Sequence, residues 1–353
     1  MPNLALIEGL KNAYPATKIY YFGSYLGMER HLVAKDPQIT YQAISTGKLR
    51  RYLSLKNFFD LFRFGTGVIQ AYLKLKHISP KPTFIFSKGG YVSLPVILAG
   101  AMLKIPIIIQ ESDISPGLTT RISLKFCTEA WFNYEEAANQ AKNLGFKGTI
   151  RVMPTLVRPE ISKGQASKAL EFLGQTTDPA VKAKYLLVLG GSSGAESINK
   201  VIDLSKAELN KAGYRIIHVC GHGKMRPANP PDYYTYEFLG KELPDFLALA
   251  DLIISRSGAS TLAELAIINK PTILIPLSTA SSRGEQLGNA QNYVKKHPGV
   301  VLEEQELTCE VLLKEIAKLV KNQGVNQGNS ASNAEELLNS YLAALNHYFV
   351  QIS

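Results

Sequence analysis

Short apolar runs alternate with amphipathic stretches along the chain, a pattern that predicts β-strands followed by helices. In the first half the predicted strands are Lys18–Phe22, Thr83–Phe86, Pro106–Gln110, Ala130–Phe132 and Thr149–Met153. In the second half they are Tyr185–Leu189, Arg215–Cys220, Tyr236–Phe238, Leu252–Ser255, Thr272–Ile275 and Val300–Leu302. Because strands that alternate with helices build parallel sheets, the two series predict an α/β protein with two doubly wound domains.

Two polar segments mark the expected domain boundaries. The first follows Pro154, and residues 323–332 form the second, which is rich in Gly, Asn, Gln and Ser as linkers are. Beyond it, apolar side chains recur at helical spacing over Ala334–Phe349. We therefore expect a first domain over residues 1–157, a second over 158–332, and a terminal helix over 333–353 that returns to the first domain.

The beginning of the sequence is unusual for this architecture. Pro2 suits a first helical position, and the residues after it read as a helix. An α/β domain normally begins with a strand, and the loop that leaves this strand often binds a ligand. We expect that first strand and its loop to be absent here.

Composition narrows the class further. The 353 residues are 46% hydrophobic and 19% charged, which excludes a disordered chain. Cys127, Cys220 and Cys309 lie far apart, so we expect neither a disulfide framework nor a metal cluster, as in a reducing cytoplasm. The longest uncharged run is shorter than the roughly 20 residues of a bilayer-spanning helix, and residues 1–25 lack the features of a signal peptide. The sequence predicts a soluble or peripheral protein.

The net charge of +10 is unevenly distributed. Residues 1–157 hold 19 Lys and Arg against 9 Asp and Glu, whereas residues 158–353 hold 20 of each kind. Such an asymmetry indicates a polyanionic partner, either a nucleic acid or an anionic lipid surface, although a merely soluble basic face is the alternative.

One basic and aromatic segment, Lys48–Lys76, favours the lipid surface. It contains seven Lys or Arg against a single acid, Asp60, with bulky apolar residues between them. Basic residues beside apolar ones on a helix suit anionic headgroups and acyl chains. The predicted membrane contacts are Arg50, Arg51, Phe58, Phe59, Phe62 and Arg63. Inward packing of the aromatic rings and a nucleic-acid face are the alternatives, and we expect an anionic membrane and no nucleic acid as the partner.

Three turns in the second half carry candidate chemistry. Gly190–Gly194 leads from a strand into a helix, where glycines let the backbone approach an anion and free N–H groups can bind it. Ser255–Ala259 repeats this arrangement, and Glu264 follows about two turns later, where its carboxylate could accept two ribose hydroxyl protons. Glu285 and Gln286 are adjacent at the start of a further helix and could both hydrogen-bond sugar hydroxyls. A plain tight turn, a solvated glutamate and ordinary capping residues are the alternatives.

The first half has corresponding turns. Ser87–Ser93 and Gln110–Asp113 both follow predicted strands, which places Tyr91, Glu111 and Asp113 at one sheet edge. Because ligands bind at the carboxyl ends of parallel strands, a cleft between the two domains is the expected ligand site.

Together these segments resemble the MurG family, the UDP-N-acetylglucosamine (UDP-GlcNAc) transferases that make lipid II from lipid I. The resemblance covers nearly the whole chain. It rests on Gly89–Gly90–Tyr91–Val92–Ser93, Glu111, Pro116–Gly117–Leu118, Gly190–Gly191–Ser192, Arg256–Ser257–Gly258–Ala259 with Glu264, and Gln286 with Asn289–Ala290.

The resemblance implies a GT-B fold, in which two Rossmann-like domains face a central cleft, and an inverting transfer of N-acetylglucosamine to the MurNAc 4-hydroxyl of lipid I in peptidoglycan synthesis. It also implies no metal, no cofactor, and a peripheral location on the cytoplasmic side of the cell membrane. The implied donor-binding residues are Arg158, Gly191, Ser192, Gly194, Leu239, Ser257, Gly258, Ala259, Ser260, Thr261, Leu262, Glu264 and Gln286. Gly90, Tyr91 and Glu111 are the implied acceptor-binding residues, and Glu111 and Asp113 the candidate catalytic residues.

This sequence departs from the family pattern at three places. The opening strand and its glycine-rich loop ending in Gly-His are missing. Asp113 stands where many members have asparagine, and Gln110 where many have histidine. Without the loop we expect donor binding with slow or no sugar transfer. The alternatives are another GT-B transferase of the diacylglycerol glucosyltransferase type, a UDP-sugar epimerase, and a catalytically impaired UDP-sugar-binding protein.

Overall fold

The computed structural model describes residues 2–33, 36–47, 55–175, 183–191, 194–278, 282, 284–321 and 333–350. The chain divides into two compact units. The N-terminal unit comprises Met1–Leu156 and Leu338–Ser353, and the C-terminal unit comprises Val157–Leu337. Each is an α/β unit built on parallel strands, so the predicted fold class is confirmed.

Two parallel sheets form the N-terminal unit. Strands β1 (Ile19–Ser24) and β2 (Ile39–Ile44) pair with each other, and β2 was not predicted from the sequence. The second sheet has the order β3-β4-β5-β6. Its strands are β3 (Ile85–Ser87), β4 (Ile107–Glu111), β5 (Glu129–Phe132) and β6 (Thr149–Val152).

Helices cover these sheets. They are α1 (Pro2–Ala13), α2 (Met28–Val33), α3 (Leu55–His77), α4 (Ser93–Met102), α5 (Leu118–Ser123) and α6 (Glu135–Asn143). The terminal helices are α13 (Ala334–Leu345) and α14 (His347–Val350). From Leu338 onward the terminal segment belongs to the N-terminal unit, where Tyr341 packs edge-on against Trp131. The aromatic rings of Tyr14 and Phe349 stack, which holds the end of α1 against α14.

The C-terminal unit contains one six-stranded parallel sheet in the order β12-β11-β10-β7-β8-β9. Its strands are β7 (Lys184–Leu189), β8 (Tyr214–Val219), β9 (Tyr233–Tyr236), β10 (Leu252–Ser255), β11 (Thr272–Leu274) and β12 (Gly299–Val301). Counted from β7, this is the doubly wound order 3-2-1-4-5-6. The chain reverses its direction of travel across the sheet between β7 and β10, so the carboxyl ends of these two strands form the switch point.

The core of the C-terminal unit lies on both faces of this sheet. Leu186 and Val188 of β7 pack against Ile198 and Ile202 on one face, whereas Leu187 packs into a separate cluster on the other. This alternation follows from the two-residue period of a strand, and a strand buried on both faces reads as a continuous apolar run. The helices of the unit are α7 (Ala166–Phe172), α8 (Glu196–Lys211), α9 (Leu243–Leu249), α10 (Ala259–Ile268), α11 (Glu285–Val294) and α12 (Cys309–Lys321).

Candidate functional site

The switch point of the C-terminal unit brings two loops together. Leu189 of β7 lies opposite Ser255 of β10, and the backbone N–H of Arg256 donates to the Leu189 carbonyl at 3.4 Å. The predicted turns after β7 and β10 therefore begin side by side. Ligands of doubly wound sheets bind outside the carboxyl ends of the strands at such a point.

Glycine is required in the first turn. Gly191 and Gly194 have φ angles of 78° and 68°, a left-handed conformation that favours glycine. At Gly194 an added Cβ would lie 2.2 Å from the Cys220 carbonyl oxygen, so a side chain there would displace the backbone. The predicted donor residue Ser192 lies between them but outside the described residues.

The two helices that leave these turns begin without a side-chain cap. In α10 the Leu262 N–H donates to the Gly258 carbonyl at 3.0 Å, so the N–H groups of Ala259, Ser260 and Thr261 precede the first intrahelical bond. At the start of α8 the Asn199 N–H donates to Ala195 at 2.8 Å. Such N–H groups, with the positive end of the helix dipole, bind anions such as phosphate.

Glu264 lies on α10 beside Arg158. The Arg158 Nη2 atom is 3.6 Å from Glu264 Oε1, and both side chains are largely buried. Burial raises the pKa of Glu264, and the charge and hydrogen bond of Arg158 act against this rise. The Arg158 Nε atom is buried and has no hydrogen-bond partner within the described residues. A buried guanidinium with an unused donor is arranged to bind an anionic ligand.

Gln286 and Ser257 connect the second turn to α11. The Gln286 Oε1 atom accepts the Leu277 N–H at 3.1 Å, and its main-chain oxygen accepts the Ser257 hydroxyl at 2.9 Å. Because Oε1 is already used, the Nε2 amide is the group left to donate to a ligand. Leu239, predicted to present its backbone to the donor, follows β9 and is a buried core residue.

An ion pair that the sequence did not indicate holds the same edge. Arg256 donates to Glu304 at 2.6 Å, to Ser197 Oγ at 3.0 Å, and to the carbonyls of Ile275 and Pro276 at 3.1 Å each. Burial favours a raised pKa of Glu304, but hydrogen bonds from Ser197 and Arg256 and the Arg256 charge lower it overall. Arg256 was recognised only as part of a motif. Nothing in the sequence singled out Glu304, which lies in a polar stretch of glutamates.

In the N-terminal unit, the turn after β3 carries Gly89, Gly90 and Tyr91. The two glycines have φ angles of 79° and 87°, and the side chain of Tyr91 is exposed. The Ser93 hydroxyl donates to the Gly90 carbonyl at 2.8 Å and fixes the turn at the start of α4.

Glu111, at the end of β4, uses both carboxylate oxygens within the protein. Its Oε1 accepts the N–H groups of Ser112 and Asp113 at 2.9 and 3.1 Å. Its Oε2 accepts the Gly117 N–H at 3.0 Å and the Thr120 hydroxyl at 2.6 Å. With four donors bound to its two oxygens, this carboxylate is suited to hold the 112–117 loop in place. Asp113, whose N–H bonds to Glu111, is carried by this loop.

Lys88, which was not among the predicted site residues, lies beside these carboxylates. Burial lowers its pKa to about 8, and the charges of Glu111 and Asp113 act against the shift. The signal for it was present, because a lysine stood between a predicted strand and a glycine turn.

The described part of α3 carries an exposed apolar face. Leu61, Phe62, Ile69 and Leu73 are exposed, with Phe62 71% exposed, and Arg63 lies beside Phe62. Opposite them, Ala71 and Leu75 are buried in the core with Ile44 and Val96. Phe58 and Phe59 lie in α3, but their side chains are outside the described part, as are Arg50 and Arg51 altogether. Inward packing therefore explains the apolar residues on one face of α3, whereas the apolar residues on the other face are exposed to solvent.

Within the described ranges, no helix is long and apolar enough to cross a membrane. The same residues contain no group of three or more His, Cys, Asp or Glu side chains placed to hold a metal ion.

The chain has two α/β units with parallel sheets, and the C-terminal sheet has the order 3-2-1-4-5-6 with uncapped helix N-termini at its switch point. This architecture is that of the GT-B class. Two family models match the chain: the glycosyltransferase family 28 N-terminal domain over residues 1–132 and its C-terminal domain over residues 185–342. The chain is 37% identical to the UDP-N-acetylglucosamine–N-acetylmuramyl-(pentapeptide) pyrophosphoryl-undecaprenol N-acetylglucosamine transferase 3 of Bacillus thuringiensis, over 97% of this chain and 94% of that protein. It belongs to the MurG family within glycosyltransferase family 28.

Solved structures share the fold. The crystal structure of Acinetobacter baumannii MurG matches with a TM-score of 0.66 at 22% identity, over 91% of this chain and 87% of that one. A UDP-GlcNAc 2-epimerase from Neisseria meningitidis, bound to UDP-GlcNAc, also matches with a TM-score of 0.66, at 12% identity over 97% and 95% of the two chains. At these identities the likeness concerns the fold alone.

Proposed function

We propose that this protein transfers N-acetylglucosamine from UDP-GlcNAc to the MurNAc 4-hydroxyl of lipid I and so forms lipid II. The observation that carries the proposal is the contact between Arg158 and Glu264, whose helix α10 begins at the switch point of the C-terminal unit. The name and 37% identity of the Bacillus relative support the same donor and acceptor.

The C-terminal unit would bind the donor. The diphosphate would accept hydrogen bonds from the N–H groups of residues 259–261 and from the turn formed by Gly191, Ser192 and Gly194. Glu264 would accept the ribose hydroxyls, and Arg158 would direct its unused Nε donor to the nucleotide. Ser257, Gly258 and Leu262 would shape the turn, the Leu239 backbone would read the uracil, and the Gln286 amide would bind the sugar.

The N-terminal unit would supply the acceptor side, with Gly90 and Tyr91 at the acceptor. Asp113 would take the proton from the attacking hydroxyl, which bonds to the anomeric carbon as the bond to the UDP oxygen breaks. The negative charge that develops on the leaving diphosphate would be stabilised by the positive N-terminal ends of α8 and α10, with no metal required. Glu111 would hold the loop that carries Asp113.

The exposed apolar face of α3 would contact the membrane in which the lipid acceptor resides. Phe62 and Ile69 would enter the headgroup region while Arg63 and other basic residues of the segment meet anionic lipid. This contact supports a peripheral location at the membrane, and the cytoplasmic side is proposed from membership of the MurG family.

The test is a product analysis with the full chain, UDP-GlcNAc and a short-chain lipid I analogue, run under single-turnover conditions so that slow transfer is measured. We expect a β-linked GlcNAc–MurNAc product together with one equivalent of UDP. UDP-GlcNAc converted into its 2-epimer without any acceptor would instead identify an epimerase. Donor binding without either product would identify a UDP-sugar-binding protein.

A further inference from the structure

A series of hydrogen-bonded side chains runs from the terminal helix α13 to the loop after β4. The Tyr341 hydroxyl donates to the Pro154 carbonyl at 2.8 Å, and Gln110 Nε2 donates to the Tyr341 oxygen. Lys88 Nζ donates to Gln110 Oε1 at 2.9 Å and to Ser112 Oγ at 2.9 Å. We call these residues the Lys88 network. All of them belong to the N-terminal unit.

The network is built into the core of the unit. Tyr341 and Gln110 are only 1% and 2% exposed. Buried polar groups are costly unless each finds a partner, and here each member bonds the next. The network therefore holds the Lys88 ammonium next to the loop that contains Asp113. A lysine exposed on the surface would not need such a set of buried partners.

The titratable groups around this ammonium, around Gln110 and around Asp113 come from three neighbouring segments. Glu111 and Asp113 on the β4 loop are the charged ones. From α13, Tyr341 has a raised pKa because it is buried. After β5, Tyr134 has a pKa of about 12, raised by burial and by the Asp113 charge. Both tyrosines therefore stay neutral near pH 8, and Lys88 is the cation opposite Asp113.

We propose that Lys88 is a positioning residue of the acceptor site, which orients the Ser112–Asp113 turn and keeps Asp113 ionised, and that Tyr341 fixes Lys88 in place through Gln110. This rests on the proposed function, in which Asp113 accepts the proton. The terminal helix then does more than pack against the N-terminal unit. Through Tyr341 and Gln110, α13 also influences the geometry of the loop after β4.

Rate profiles of the full chain test the proposal. We compare wild type with Lys88→Met, Lys88→Arg and Tyr341→Phe, and use Lys81→Met, at an exposed position of the same unit, as the matched control. Single-turnover transfer to a lipid I analogue is measured from pH 6 to 10, and UDP-GlcNAc affinity is measured in parallel.

Lys88→Met should reduce the transfer rate at least tenfold and move the acidic limb of the pH–rate profile up by about one pH unit, because the cation that favours an ionised carboxylate is gone. Lys88→Arg should restore most of the rate and move the basic limb near pH 8 to higher pH, since a guanidinium stays protonated. Tyr341→Phe should give a smaller loss in the same direction. UDP-GlcNAc affinity should be unchanged throughout. A rate loss in Lys88→Met with both limbs unmoved and no rescue by arginine would make Lys88 merely structural and overturn the proposal.

A second measurement separates this proposal from the proposed function. In ¹³C NMR of ε-labelled lysine, one signal should titrate near pH 8, vanish in Lys88→Arg, and titrate at lower pH in Asp113→Asn. If the wild type transfers no sugar but this coupling is seen, the proposed function fails and the Lys88–Asp113 arrangement stands. If transfer occurs and Asp113→Asn leaves the Lys88 titration unchanged, the positioning proposal fails alone.

Discussion

At the scale of single residues, the Arg158–Glu264 pair gives the sharpest expectation for donor binding. Glu264→Ala should weaken UDP-GlcNAc binding roughly 10- to 100-fold, because it removes hydrogen bonds from ribose hydroxyls to a charged acceptor. Isothermal titration calorimetry on the full chain measures this. Glu171→Ala, at an exposed position on α7 of the same unit, is the control and should bind as the wild type does. Equal affinity in all three proteins would make Glu264 an ordinary helix residue.

His218 makes the stability of the C-terminal unit depend on pH. It is fully buried on β8 between Tyr233 Oη and Asn199 Oδ1, each 2.9 Å away, and burial lowers its pKa to about 4. An unfolded histidine has a pKa of about 6.5. Between these values the unfolded chain binds more protons, so the free energy of unfolding falls as the pH falls from about 6.5 towards 4.

This contribution should amount to about 2 kcal/mol between pH 7 and pH 5. Urea unfolding at the two pH values measures the free energy of unfolding. Its drop from pH 7 to pH 5 should be smaller in His218→Gln than in wild type by about 2 kcal/mol. His222→Gln provides the control, because the His222 side chain is 92% exposed. An identical pH dependence in wild type and His218→Gln would show that His218 does not titrate as its burial implies.

Some residues of the site could be predicted from the sequence, and others become visible only in the folded structure. Glu264 and the glycine turns were predicted because their spacing after apolar runs is visible in the chain. The role of Glu111 was not, since its four donors come from Ser112, Asp113, Gly117 and Thr120 only once the loop folds back. Likewise Lys88 and Tyr341 are 253 residues apart in the sequence and are joined only through Gln110. Contacts of this length leave no local pattern.

At the scale of elements, buried strands were the easiest to predict. The predicted strand Tyr185–Leu189 corresponds to β7, Lys184–Leu189, because it is buried on both faces and reads as an unbroken apolar run. By contrast β2, Ile39–Ile44, was missed. Its interior residues are only partly buried or exposed and include Thr40 and Gln42, so the run of apolar residues that marks a core strand is absent. The predicted strand Tyr236–Phe238 shares only Tyr236 with β9, which covers Tyr233–Tyr236.

The exposed face of α3 leads to a prediction for the whole helix. Replacing both Phe62 and Ile69 with serine should weaken binding to vesicles containing anionic phospholipid by about tenfold, since two large apolar side chains would no longer leave water. Binding of the wild type should also fall as salt rises, because basic residues contribute through screened attraction. Vesicle sedimentation at two salt concentrations measures both effects.

The matched control for this helix is Phe172→Ser in the C-terminal unit, where the ring is 52% exposed. It should leave vesicle binding unchanged. If neutral and anionic vesicles bind the wild type equally, the electrostatic part is wrong. If the α3 double variant binds as the wild type does, these side chains are not the contact.

At the scale of the whole molecule, two α/β units divide the proposed reaction between them. The sheet order of the C-terminal unit could not be read from the sequence, because strand order depends on which faces the crossover helices cover. This order explains the spacing of the glycine turns in the sequence, since it places the turns after β7 and β10 next to each other at the switch point.

The central claim is that this switch point binds the sugar nucleotide, and hydrogen–deuterium exchange of the full chain tests it most directly. UDP-GlcNAc at a concentration a few times the wild-type dissociation constant should slow exchange in peptides covering residues 190–197, 257–264 and 284–290, and Glu264→Ala should strongly reduce this protection at the same ligand concentration. Protection confined to other peptides, or none at a concentration where calorimetry shows binding, would contradict the account.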